Sequence, residues 1–222
     1  MFKEMTVWDA VGYDTMGRRT FNLWLGIWTS VGIGFSAWVA WNSQHLNPNF
    51  WGVMGLFLIS LAGVSIAVGN DSFFLSLLGY TLVTGSIGAL TGPVIAEYTT
   101  ASIVTIFFGT AFVVAALGVV GTIIPESLEH WSRYIIVALL ILIFGHIALA
   151  FAAASGLPVS GTMAFWDWVG LTVFSFITVY DFNRAQRVPK TMNSAIDCAL
   201  AIYLDFANIF LRLLGLSGKK SD

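Results

Sequence analysis

The chain has 222 residues, 57% of them apolar and 15% aromatic, with only 10% Asp, Glu, Lys or Arg. Its mean hydropathy is +0.83. A soluble domain carries about 25% charged residues, and so few charges cannot cover a water-facing surface, which excludes a soluble enzyme, a disordered chain and a secreted disulfide scaffold. A net charge of −2 leaves no footprint for nucleic acid, and the single cysteine, Cys198, allows neither an internal disulfide nor a cysteine-based metal cluster.

In chain order, apolar stretches fall at 21–41, 50–69, 73–96, 101–124, 134–154, 164–181 and 196–216. Each approaches the ~20 residues that a bilayer-spanning helix needs. The fold class is therefore an all-α membrane protein with seven transmembrane helices. The domain organisation is an N-terminal tail at 1–20, a seven-helix domain at 21–216 and a short tail at 217–222. Transmembrane strands would alternate apolar and polar residues, whereas these runs are apolar on all sides. The first run is too long for a signal-peptide core and reads as a retained span. The joints carry turn and interface residues, among them Pro48, Asn70-Asp71, Pro125 and Pro158. Gly88 and Gly92 form a GxxxG in the third span, and Gly118 and Gly121 lie in the fourth; small residues at such spacing let helices approach closely. Pro93, inside the third span, is expected to kink or break that helix.

Basic residues orient the chain. With the N-terminus inside, Lys3, Arg18, Arg19, Arg133, Arg184, Arg187 and Lys190 are cytoplasmic, and only Lys219 and Lys220 are outside. The positive-inside rule then favours a cytoplasmic N-terminus and an external C-terminus. Trp41, Trp51, Trp166 and Trp168 fall at the outer interface and Trp131 at the inner one, as an aromatic belt would place them.

The charges inside the spans are unevenly placed. The first five apolar stretches hold none, while the last two hold Asp167, Asp181, Asp197, Asp205 and Arg212. A charge at the bilayer centre costs roughly 2.5–3.5 kcal/mol on insertion scales, so such residues mark ion paths, proton relays or buried pairs. Asp205 lies about 14 Å into the core if its helix starts at Ile196. The bland alternative is a structural carboxyl bonded to Asn208. Asp181 closes the sixth span, where a carboxylate opposes the helix dipole. That calls for a neutralising partner or for a helix running on through Asn183 and Arg184. In the second case Asp181 and Asp205 reach similar depths, about 9 Å and about 12 Å, on adjacent antiparallel helices. Two carboxyls in a low-dielectric site share a proton.

The remaining polar residues are weaker candidates. Asp167 and Asp197 read as first-turn carboxylates that suit the helix dipole. Arg212 lies about 10 Å along the axis from Asp205 and is expected to snorkel to the outer interface. His146 is a pore ligand, a proton carrier or a histidine bonded to a neighbouring helix. Glu97 is a mouth residue or simply solvated. The histidines lack metal-ligand spacing, no P-loop or GxSxG occurs, and the seventh span has no lysine for a retinal Schiff base. No cofactor and no enzymatic activity are expected. An intramembrane aspartyl protease would need Gly-x-Gly-Asp, but Asp205 follows Ile202-Tyr203-Leu204.

Val179-Tyr-Asp-Phe-Asn183, and Ala201-Ile-Tyr-Leu-Asp-Phe-Ala-Asn-Ile-Phe-Leu-Arg-Leu-Leu-Gly215 after it, resemble the end of the transmembrane Bax inhibitor motif family. Thr84-Gly-Ser-Ile-Gly-Ala-Leu-Thr-Gly-Pro93 and Gly109-Thr-Ala-Phe112 resemble its glycine-rich segments. The resemblance implies seven helices with a central last helix wrapped by the other six. It also implies a pH-sensitive calcium leak in the bacterial inner (plasma) membrane, with Asp181 and Asp205 as sensor and gate. His146, Asn208, Asp197, Glu97 and Arg212 are then accessory polar residues. Leak-type members resemble one another in a glutamate and a latching arginine in the second span; 50–69 has neither. Some bacterial relatives look instead like regulators of a membrane-anchored ATP-dependent protease, acting through the N-terminal tail. The expected partners are therefore the bilayer and calcium ions, with such a protease as the alternative.

Overall fold

The computed structural model describes residues 15–68 and 72–221. Most of the tail and Asn70-Asp71 lie outside the described residues. Seven long helices follow in order: α1 (Arg18–Asn42), α2 (Phe50–Val68), α3 (Phe73–Ile95), α4 (Thr100–Ile123), α5 (Ser132–Ala154), α6 (Ser160–Ala185) and α7 (Met192–Ser217). All seven are long and apolar enough to cross a bilayer. Helix is the form that satisfies every backbone N–H and C=O within the segment, as hydrocarbon demands. Threonine and serine hydroxyls along the helices donate back to carbonyls one turn earlier, as Thr81 does to Leu77 and Thr110 to Ile106. Their polarity is thereby spent inside the helix.

The helices begin and end where the apolar runs do, with three instructive differences. α1 begins at Arg18, α5 includes Arg133 and α6 runs on through Arg184, so basic residues cap the helices beyond their apolar cores. α3 passes through Pro93 without a break and ends at Ile95. The expected break does not occur, and Pro93 sits in the last turn of the helix. α6 and α7 both extend beyond 164–181 and 196–216, and this moves Asp167, Asp181 and Asp197 away from helix ends.

The chain divides into two compact units. The first holds α1, α2, α3 and α7 up to Tyr203. Here Gly63 of α2 faces Gly79 of α3 so closely that a Cβ on Gly79 would strike the α2 backbone at Ala67. Gly88 and Gly92 of α3 do the same against Ser36, Ala40 and Ser43 of α1 and its C-terminus. The Tyr203 hydroxyl donates to Ser36 Oγ at 2.8 Å, and the Tyr80 hydroxyl donates to the Trp28 carbonyl.

The second unit holds α4, α5, α6 and α7 from Leu204. Gly118 and Gly121 of α4 sit under Phe182 and Val179 of α6. Phe107 of α4 meets Phe206 and Phe210 of α7 edge-on at 5.3 and 6.3 Å. Thus α7 touches α1 and α3 in one unit and α4, α5 and α6 in the other. Its apolar window is 56% buried, against at most 39% for any other helix. Phe112, Phe144 and Phe151 point outward on α4 and α5, as lipid-facing side chains do.

Candidate functional site

The site lies in the second unit, where α6 and α7 carry the acidic residues. Because α6 continues to Ala185, Asp181 stands within the helix rather than at its end. The extension leaves its carboxyl close enough to that of Asp205 on α7 for the two to interact. A hydrogen bond between two carboxyl groups requires a proton on one of them. Asp205 is 2% exposed, and among the described residues no N–H or O–H donor reaches its Oδ2. The Thr178 hydroxyl, one turn before Asp181, lies beside Asp205 and donates to the Phe174 carbonyl at 2.7 Å. A hydroxyl has a single hydrogen, so Thr178 can serve Asp205 as donor only by releasing Phe174. Arg184, one turn beyond Asp181, supplies the positive charge that acts on it. Sequence reasoning reached Arg184 only through the alternative of a longer sixth helix and missed Thr178, although the i, i+3 spacing of both about Asp181 follows once the helix is extended.

Asn183 ties this end of α6 to the α4–α5 connection. Its Nδ2 donates to the carbonyls of Ile124 at 3.0 Å, Glu126 at 3.1 Å and Gly121 at 3.3 Å, and its Oδ1 accepts from the Leu128 N–H at 3.2 Å. Carbonyls at the C-terminus of α4 have no intrahelical donor, and Asn183 provides one. The Tyr-Asp-Phe-Asn sequence therefore places a carboxyl and its structural anchor two residues apart.

A second cluster joins α5, α6 and α7. Arg212 Nη1 lies 3.5 Å from Asp167 Oδ1 and 3.4 Å from His146 Nε2. The guanidinium also sits 5.4 Å from the Phe174 ring centre. Arg212 is 8% exposed and does not snorkel to the interface as expected. Its long side chain reaches a carboxylate instead of water. Asp167 is the eighth residue of α6, not a first-turn residue, and its role is to pair with Arg212. His146 is the histidine bonded to a neighbouring helix, one of the three readings open to it. Its Nδ1 contacts the Leu142 carbonyl at 2.7 Å.

The other expected accessories fall elsewhere. Asn208 donates to the Leu204 carbonyl at 2.9 Å and not to Asp205, since an amide pointing back along its own helix finds the nearer acceptor. Asp197 stands in the second turn of α7, within the first unit, because the helix starts at Met192 rather than Ile196. Glu97 is exposed just past the end of α3, also in the first unit. Among the described residues no three His, Cys, Asp or Glu side chains converge on a metal site.

Known proteins share this sequence over nearly its whole length. A family model described as inhibitor of apoptosis-promoting Bax1 (Bax1-I) matches residues 16–222. The inner membrane protein YbhL of Escherichia coli is 25% identical over 231 residues, covering 96% of this chain and 97% of that protein. An uncharacterized protein of Deinococcus radiodurans is 27% identical, covering 91% of each chain. The protein YrjE of Lactococcus lactis is 28% identical over 78% of this chain and 74% of its own. With seven apolar helices and a family match that spans them all, the chain belongs to the Bax inhibitor-1 family of integral membrane proteins.

Proposed function

We propose that the protein is a proton-gated cation leak of the inner membrane, with calcium as the transported ion and the Asp181–Asp205 pair as the gate. The observation that carries this reading is the meeting of the two carboxyls on adjacent membrane helices. With one proton between them the carboxyls attract and hold α6 to α7. Without it they carry like charges in a low-dielectric site and repel. Either change in proton occupancy biases the position of α7, which is the helix with most of its surface inside the protein. Thr178 is the adjustable third member, because its hydroxyl can serve the Phe174 carbonyl or Asp205 but not both. The second-span arginine implied by the family resemblance is absent, and Arg184 takes the place of the nearby cation. The N-terminus is cytoplasmic in this reading, since seven of the nine basic residues outside the membrane cores then lie inside.

Calcium uptake into proteoliposomes of the purified full chain, measured at several pH values, tests the proposal. Wild type should show flux that changes severalfold with pH. Asp205→Asn should flatten that dependence, since an amide neither gains nor loses a proton in this range. Unchanged pH dependence in Asp205→Asn removes the gate. Absence of flux at every pH removes the channel and leaves a regulator that binds other membrane proteins.

A further inference from the structure

We propose that His146, Asp167 and Arg212 form a second proton-operated lock, holding α5, α6 and α7 together at the far end of α6 from the carboxyl pair. Asp167 precedes Asp181 by fourteen residues, which is about 21 Å along the helix. The inference does not depend on ion transport.

The argument rests on which atoms can donate. The Leu142 carbonyl can only accept, so the His146 Nδ1 beside it, at 2.7 Å, carries the hydrogen. Arg212 has donors and no acceptor, so His146 Nε2, 3.4 Å from Nη1, offers its lone pair. The contacts on both sides therefore fix the ring as neutral, with its hydrogen on Nδ1. A neutral ring leaves one cation, Arg212, for one carboxylate, Asp167, at 3.5 Å.

Uptake of one proton by His146 Nε2 undoes this arrangement. The lone pair that accepted from Arg212 becomes an N–H, so two donors now face each other. The imidazolium then competes with Arg212 for Asp167, on whose carboxyl both residues act. A neutral trio becomes a trio with one excess positive charge. The neighbours offer no relief. α4 contains no Asp, Glu, Lys or Arg. Against Arg212 lie the Phe174 ring and Gly170, and against His146 lies the Trp166 ring at 6.3 Å. The remaining charged residues of α5 and α6, Arg133, Asp181 and Arg184, are at the opposite ends of those helices, and Asp205 lies two turns away on α7. Arg212 Nε is already buried without a partner, so loosening its Nη1 contacts leaves the guanidinium poorly served. Asp167 keeps 27% of its side chain exposed.

Two measurements on the full chain in lipid nanodiscs test the lock. Nitrogen-15 NMR of labelled histidine reads which ring nitrogen carries hydrogen. The chain has three histidines, and the exposed His45 and His130 are assigned with His45→Gln and His130→Gln. His146 should then show hydrogen on Nδ1 at neutral pH; a neutral ring with hydrogen on Nε2 would overturn the proposal. The second measurement is the melting temperature at pH 7.5 and pH 5. Gln at position 146 can present an acceptor oxygen near Nε2 and takes up no proton. His146→Gln should therefore lose less than half the acid-induced drop in melting temperature that wild type shows. An equal drop in both proteins would overturn the lock. Asp205→Asn should leave the His146 signal unchanged, so failure of the leak and failure of the lock give different results.

Discussion

The Arg212 guanidinium of α7 rests directly against Gly170 of α6, and a Cβ placed on that glycine would collide with its central carbon. The absent side chain makes the seat for the cation, while Asp167, three residues earlier on the same helix, supplies the counter-charge. Gly170→Ala should therefore displace the flexible end of Arg212, and its cost should be that of loosening the Arg212–Asp167 pair rather than of overpacking. A fall in melting temperature that disappears in the Arg212→Ala background would confirm that the two positions act through one contact.

The Arg212–Asp167 pair also makes a prediction about charge. Removing Asp167 leaves Arg212 buried and uncompensated, at a cost of about 3–5 kcal/mol, whereas removing Arg212 costs less because Asp167 keeps 27% of its side chain exposed. Replacing both should cost much less. Unfolding of Arg212→Met, Asp167→Asn and the double variant in detergent forms the double-mutant cycle that tests this. Additive losses would mean that the two side chains do not interact.

Asn183 serves four backbone groups of the α4–α5 connection at once. Asn183→Ala should cost at least the ~1–3 kcal/mol of leaving buried polar groups unsatisfied. Asn183→Asp should be no better, because a carboxylate puts acceptors against three carbonyls. Faster hydrogen exchange in residues 124–128 would be the local sign. Unchanged exchange there would show that the connection holds itself.

Tyr203 and Ser36 make a simpler pair in the first unit. Tyr203→Phe keeps the ring and removes the hydroxyl that donates at 2.8 Å, and it should cost about 1 kcal/mol. Ser36→Ala should cost a similar amount, with no further loss when the two are combined.

Lys190 lies between α6 and α7, with its amine 4.7 Å from the Phe21 ring centre and bonded to the Val188 carbonyl at 2.8 Å. Burial lowers its pKa below the usual lysine value; Cys198 opposes the shift and Arg18 adds to it. A lysine whose folded value is depressed costs stability while it is charged in both states. That cost is relieved as pH rises from the depressed value towards the ordinary ~10.4. Wild type should therefore gain stability relative to Lys190→Met across the alkaline window just below that value. Parallel melting curves for the two proteins from pH 8 upward would contradict this.

The seven helices were readable from the apolar runs alone, because a bilayer demands length and hydrophobicity and little else. The small-residue contacts of Gly88, Gly92, Gly118 and Gly121 were readable for a related reason, since close helix approach needs missing side chains. The neighbours of the carboxyl pair were only half readable, because the sequence left open whether the sixth helix stopped at 181 or ran on through Arg184. Polar residues at a helix end look like a joint, and the continuation to Ala185 decides for the longer helix, in which Thr178, Asp181 and Arg184 follow one another at i, i+3 spacing.

Composition by itself marked this chain as a membrane protein, and residue order gathered its few charges on the last two helices. With the sixth helix running on past Asp181, rise per residue also put Asp181 and Asp205 at similar depth. Tertiary structure alone decided who meets whom. By the same depth arithmetic Arg212 and Asp167 stand about 10 Å apart along the bundle, yet they form an ion pair. The missing length comes from the reach of an arginine side chain and the bare surface of Gly170. Those are properties of two packed helices, and neither helix displays them alone.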